Sequence, residues 1–137
     1  MSSVQFVVDH DKKRLYRKVP SEISMRELTE ALIQYYVDHP DQLPYDSISE
    51  FRSWRGKIEW DWARDHAIKI EEMIAEHVKK NPKAARPGRR AALVMSDKMW
   101  NLLARAMQNY HTTTELKVFA SMKEGEAWLD EPRSHFH

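Results

Sequence analysis

The chain has 137 residues, 31% charged and 42% hydrophobic, with a formal net charge of +1. That length suits one domain, and a domain of this size buries about two-thirds of its unfolded surface, so it needs no staples. With no cysteine and only three glycines, disulfides, thiolate metal sites, cysteine nucleophiles and the glycine-rich phosphate cradles are all excluded.

Residues 4–9, VQFVVD, are apolar and β-branched and read as a strand. HDKK (10–13) is a polar turn. RLYRKVP (14–20) alternates, with Leu15, Arg17 and Val19 on one side and Tyr16 and Lys18 on the other, which predicts an antiparallel hairpin. Ser24 and Glu27 have capping-box spacing. Leu28, Leu32, Tyr35 and Tyr36 follow at helical intervals until the prolines of DHPDQLP. YDSISEF (45–51) alternates but is polar for a central strand, which predicts one partly uncovered face and leaves room for a homodimer.

A long helix is expected over 59–79, with Ala63, Ala67, Ile70, Ile74 and Val78 as its buried stripe. Asn81-Pro82 and Pro87-Gly88 break it. AALVM (91–95) is a continuous apolar run, as in a strand covered on both faces. Ser96 or Asp97 can cap the next helix, whose inner face is Trp100, Leu103, Ala104 and Met107. LKVFA (116–120) is the last strand. Ser121 and Glu124 repeat the capping-box spacing ahead of a short helix closed by Ala127, Trp128 and Leu129. The order β-β-α-β-α-β-α-β-α, with right-handed crossovers, predicts a single α/β domain over 1–137. Its five-stranded mixed sheet has only the first strand antiparallel.

The C-terminal third adds a likeness. Gly88-Arg89 opens a strand, Ser96-Asp97 precedes a helix with Leu103-Ala104-Arg105, Lys117-Val118-Phe119 forms the next strand, and Glu126-Ala127-Trp128-Leu129 closes the chain's last helix. These features resemble the SpoIIAA-like family of STAS-type fold. The resemblance implies a bacterial regulatory module that works by protein contact. Anti-sigma-factor antagonists of this fold carry a phosphorylatable serine in a DSxG-like turn after the third strand. Here that turn reads FRSWRGK: Ser53 is its one serine, with no aspartate before it and no glycine two residues later. The resemblance therefore brings no recognisable phospho-switch. The SEC14-type affinities of the fold imply an apolar-ligand or lipid contact as the alternative.

Residues 51–62, FRSWRGKIEWDW, concentrate three tryptophans and three basic residues where a strand gives way to a helix. In α/β sheets ligands favour the carboxyl ends of strands. That rim gathers this turn with Ser96 and Asp97. Arg52, Ser53, Arg55 and the head of the long helix form a candidate small-anion site. Trp54, Trp60 and Trp62 are candidates to wall an apolar ligand or to dock a protein partner, unless they merely cover the core. At the opposite rim Lys12, Lys13 and Arg14 meet Lys79, Lys80, Lys83, Arg86, Arg89 and Arg90 as a candidate basic patch. It lacks the interleaved aromatics that nucleic-acid binding uses.

Catalytic spacing is absent from the sequence. Asp61 and Asp65 read as a solvated face paired to Arg64 and Lys69. His66 and His77 are too far apart for one metal, His135 and His137 lie in a frayed tail, and Tyr110-His111 reads as a surface turn. The reading is a cytoplasmic, non-enzymatic module without cofactor, metal or membrane span. It acts through a protein partner, with a small anionic or apolar ligand held at 52–62 as the alternative.

Overall fold

A computed structural model describes residues 3–85 and 88–132. Among the described residues five strands and four helices follow one another: β1 (Gln5–Asp9), β2 (Arg14–Lys18), α1 (Met25–Asp38), β3 (Asp46–Glu50), α2 (Trp60–Lys80), β4 (Arg89–Val94), α3 (Met99–Gln108), β5 (Thr114–Phe119) and α4 (Met122–Asp130). Single 3-10 turns stand at Pro40–Gln42 and Pro82–Ala84. The sheet order is β1-β2-β3-β4-β5. Only β1 and β2 pair antiparallel; the other three pairings are parallel.

Local chemistry explains the boundaries. Ser24 Oγ accepts from the Glu27 amide at 3.0 Å and Glu27 Oε1 accepts from the Ser24 amide at 3.1 Å, a complete capping box. At Ser121 the hydroxyl accepts from the Glu124 amide at 3.2 Å. The reciprocal arm differs there, since Ser121 Oγ donates to the Glu124 carboxylate rather than the backbone doing so. Of the two residues expected to cap α3, neither is its N-cap, which is Lys98, but Asp97, one residue earlier, reaches the first turn, its Oδ1 accepting from the Met99 amide at 2.9 Å. At the hairpin tip Asp9 Oδ1 accepts from the Lys12 amide at 3.0 Å, and Lys13 takes a left-handed φ of 53°.

Each crossover adds its new strand on the same side of the last, so crossovers of one hand carry their helices to one face. Residues Leu15 and Arg17 of β2, Ser47 and Ser49 of β3, Ala91 and Leu93 of β4 and Leu116 of β5 share that face, in register. The core beneath α1 and α3 contains Leu28, Leu32, Phe51, Trp54, Trp100 and Leu103. Ile48, Ala92 and Val94 point the other way and pack under Trp128 and Leu129 of α4. Gly125 lets α4 settle there, because a Cβ at that position would lie 2.8 Å from Ile48 Cδ1.

The polar strand is corrected by its position. β3 is the third of five and is paired on both sides. Asp46, Ser47, Ile48 and Ser49 are all buried. Its polarity faces inward instead. Asp46 accepts from the Arg90 amide at 2.9 Å, and Ser47 and Ser49 line an internal cavity. Among the described residues no helix is long and apolar enough to cross a membrane.

Candidate functional site

The turn after β3 lies at the carboxyl rim, tied down by Arg55, whose amide donates to the Ser21 carbonyl at 2.9 Å. It separates its residues sharply. Trp54 is a core residue, 6% exposed, packed edge-on to Phe51 and Trp100. Its indole N–H donates to the Ile23 carbonyl at 2.7 Å, so it walls no ligand. Gly56 completes this corner: a Cβ there would come within 2.2 Å of the Trp54 ring. Trp60 and Trp62 instead stand 41% and 38% exposed at the head of α2. The Arg26 guanidinium lies over the Trp62 ring at 5.6 Å.

Of the two arginines at the expected anion site, Arg52 has its charge answered within the chain. Glu50 grips Arg52 through Nε and Nη2, the latter at 2.6 Å. This holds the Glu50 carboxyl below its ordinary range. Ser53 and Arg55 are exposed. The head of α2 has no side-chain cap, but Glu59 and Asp61 place carboxylates there, where the helix dipole favours them. Ser96 and Asp97 are exposed at the same rim, and Asp97 is engaged with the first turn of α3. Along α2, Arg64 pairs with Asp61 at 3.6 Å and Asp65 at 3.1 Å, a solvated face as the spacing predicts.

The expected basic patch loses Arg14 and Arg89 to the interior. Arg14 is 3% exposed and donates to Asp130 at 2.7 Å. Burial is the largest single influence and lowers its pKa, but the hydrogen bonds and charges of Asp130 and Tyr16 together outweigh it and raise it overall. Arg90 donates to the carbonyls of Trp128 and Glu131 at 2.7 and 3.1 Å. Arg89 is 5% exposed. Lys12, Lys13, Lys79, Lys80 and Lys83 remain exposed. Arg86, like His135 and His137, lies outside the described residues. An arginine at a strand's first residue can pair inward, whereas a helix-end lysine stays in water.

The most concentrated chemistry lies inside. Between the sheet and α1, α2 and α3 is a cavity of about 110 Å³. At its amino-end side Arg17 and Arg89 both donate to the Tyr36 hydroxyl. Arg89 Nε also donates to the Leu43 carbonyl at 2.9 Å, and its Nη1 to Thr114 Oγ1 at 2.7 Å. Thr114 passes its own proton to Glu71 Oε2 at 2.9 Å. Glu71 further accepts from His111, from both Thr112 and Thr113 hydroxyls and from the Thr113 amide. The His111 bond, at 2.9 Å, removes His111 from the simple surface turn expected for it.

Electrostatics follow from this wiring. Burial pushes the Glu71 carboxyl up, but the hydrogen bonds from His111 and the threonines overcome it and hold it well below the usual carboxylate range. Burial likewise pushes the Tyr36 phenol up, and the two guanidiniums more than reverse it. Burial is the main cause lowering the Arg17 pKa, with repulsion from Arg89 adding to it. His66 is lowered to about 3 by burial first and then by Arg17, so its imidazole is neutral near pH 7. Arg17 Nε, Ser47 Oγ and His66 Nδ1 are buried without a hydrogen-bond partner. None of these three stood among the expected site residues. Their traces in the sequence were an arginine on the apolar side of β2 and two serines on one face of β3.

No family profile matches the sequence, and no curated protein matches it significantly. The architecture does match a solved structure, that of an uncharacterized DUF3478-family protein with a SpoIIAA-like fold from Shewanella loihica PV-4. The TM-score is 0.55 at 13% identity, over 94% of this chain and 98% of that one. Five strands in the order β1-β2-β3-β4-β5, three helices on one face and one on the other give this chain a SpoIIAA-like fold.

Proposed function

We propose that the chain is a non-enzymatic protein-interaction module of regulatory type, docking a partner through the head of α2. The observation that carries this reading is the pair Trp60 and Trp62, 41% and 38% exposed and two residues apart. Tryptophan is the residue most over-represented among energetic hot spots of protein interfaces. Ile68 on the same helix and Met99 and Leu102 on α3 are exposed apolar residues of the same helical layer. The acid–base pairs of the molecule support a non-catalytic role. Glu71 and His111 are engaged with the threonines around them, and Glu50 with Arg52.

The test is a paired substitution. Trp60→Ala with Trp62→Ala is expected to abolish co-purification of the partner from the native host while the circular dichroism spectrum and Tm stay unchanged. Retention of the same partner by the folded double variant would overturn the reading.

A further inference from the structure

The interior carries a second site, independent of the tryptophan surface. Arg17 and Arg89 are both buried, 8% and 5% exposed. Glu71 is tied to Arg89 through Thr114. Among the described residues no carboxylate pairs with Arg17, whose polar contact is the Tyr36 phenol. A buried cation without a counter-charge is strongly unfavourable. Its buried Nε is unpartnered, and so are Ser47 Oγ and His66 Nδ1. All three residues line the same cavity. Three orphaned polar groups around one space are too many for a native core to leave by accident.

The rest of the wall sets the ligand's other end. Leu28, Leu32, Leu103, Met107 and Trp100 line the cavity and are apolar. A phosphate would present oxygens to these side chains and leave them unsatisfied. A monocarboxylate places its two oxygens at the polar side and an alkyl tail against the leucines. The volume, about 110 Å³, is somewhat less than the roughly 150 Å³ apolar cavity that admits benzene, so the ligand has about five or six non-hydrogen atoms.

We propose that this cavity binds a short-chain aliphatic monocarboxylate, its carboxylate paired with Arg17 and hydrogen-bonded by Ser47 and His66, its tail lying among Leu28, Leu103 and Met107. Charge-assisted bonds to a guanidinium fix its orientation. His66 contributes as the tautomer with the proton on Nδ1.

Butyrate is the probe, with 1-butanol and inorganic phosphate as comparators, titrated calorimetrically into the full chain. Butyrate is expected to bind saturably, with 1-butanol about ten- to a hundredfold weaker, the worth of a hydrogen bond to a charged group. Arg17→Met should weaken butyrate by a similar factor while raising Tm, because an apolar side chain replaces an unpaired buried charge. If that variant does not fold, Ser47→Ala replaces it, with a severalfold weakening expected. The proposal is overturned if butyrate does not bind, if butanol or phosphate binds as well as butyrate, or if the folded variant binds butyrate unchanged. It is also overturned if the ligand-free protein shows a tyrosinate absorbance at neutral pH that Tyr36→Phe removes, because Arg17 would then have its counter-charge within the chain.

Discussion

Two halves of one buried layer behave oppositely. Toward the carboxyl rim, beneath α1 and α3, the space is closed by aromatic rings: Phe51, Trp54 and Trp100 lie with centroids 4.4 to 6.0 Å apart. Of their two indole N–H groups, that of Trp54 donates to a backbone carbonyl. Toward the amino rim the same layer holds Arg17, Tyr36, Arg89, Thr114, Glu71 and His111 in a continuous hydrogen-bonded chain. One half gains stability by excluding water from ring faces. The other keeps charge where water cannot screen it, so each group depends on its neighbours. The cavity sits where the halves meet.

The comparison breaks most severely at Glu71. Glu71→Ala removes the acceptor of five hydrogen bonds and is expected to cost about 3–5 kcal/mol in urea unfolding, the range for stripping one partner from a buried ionic network. A loss below about 1 kcal/mol would mean that water replaces the carboxylate and that the amino half is less enclosed than described.

Next in size, Gly56→Ala drives a methyl into the Trp54 ring, 2.2 Å from Cζ2. The indole must shift, so about 1–3 kcal/mol is expected, with a change in tryptophan fluorescence as the aromatic half opens.

Acid sharpens the contrast further. The folded pKa of His66 is about 3 against an ordinary 6.5, so as pH falls below 6.5 only the unfolded chain takes up that proton and stability declines. Glu71 is held below its ordinary 4.5, so its contribution is present above that value and is lost as pH falls below it. Between about pH 6.5 and 4.5 the slope therefore belongs mainly to His66. His66→Leu should flatten the dependence of the urea midpoint in that window. An unchanged slope there would place the titration elsewhere.

The smallest effect is expected at the surface. Arg52→Ala removes an exposed ion pair with Glu50 and should leave the thermal midpoint nearly unchanged, because solvent screens such a pair. A larger loss in thermal unfolding would give the rim turn a structural weight that its exposure does not suggest.

How far the sequence revealed this depends on the kind of contact. Helix starts were legible at Ser24 and Ser121 because caps are local. Strand direction was legible because successive βαβ units demand parallel strands. Burial of polar residues was not. Alternation told that Arg17 shares a side with Leu15 and Val19, and that Ser47 and Ser49 share a side with Phe51. It could not tell that both rows meet under α2, since that requires the register Arg17 to Ser49 across two strands. The same holds for Arg14, Arg89 and Arg90. Their clustering at the amino rim was predictable, but their partners sit tens of residues away, at Asp130, Leu43 and Trp128. Trp54, Trp60 and Trp62 looked alike in one short run, and only the fold divided them into one anchor and two surface rings.

The strand order has a consequence for how the molecule is made. Each new strand pairs with the one translated just before it, so the sheet grows at a single edge as the chain emerges, and long loop closures are avoided. Only the last helix must travel back to the opposite side. Until it does, Ile48, Ala92 and Val94 have no cover from Trp128 and Leu129. Arg14 waits for Asp130, 116 positions downstream. Covering this face thus falls to the nine residues of α4, and a nascent polypeptide stalled before them would present a sticky, half-finished sheet to its surroundings.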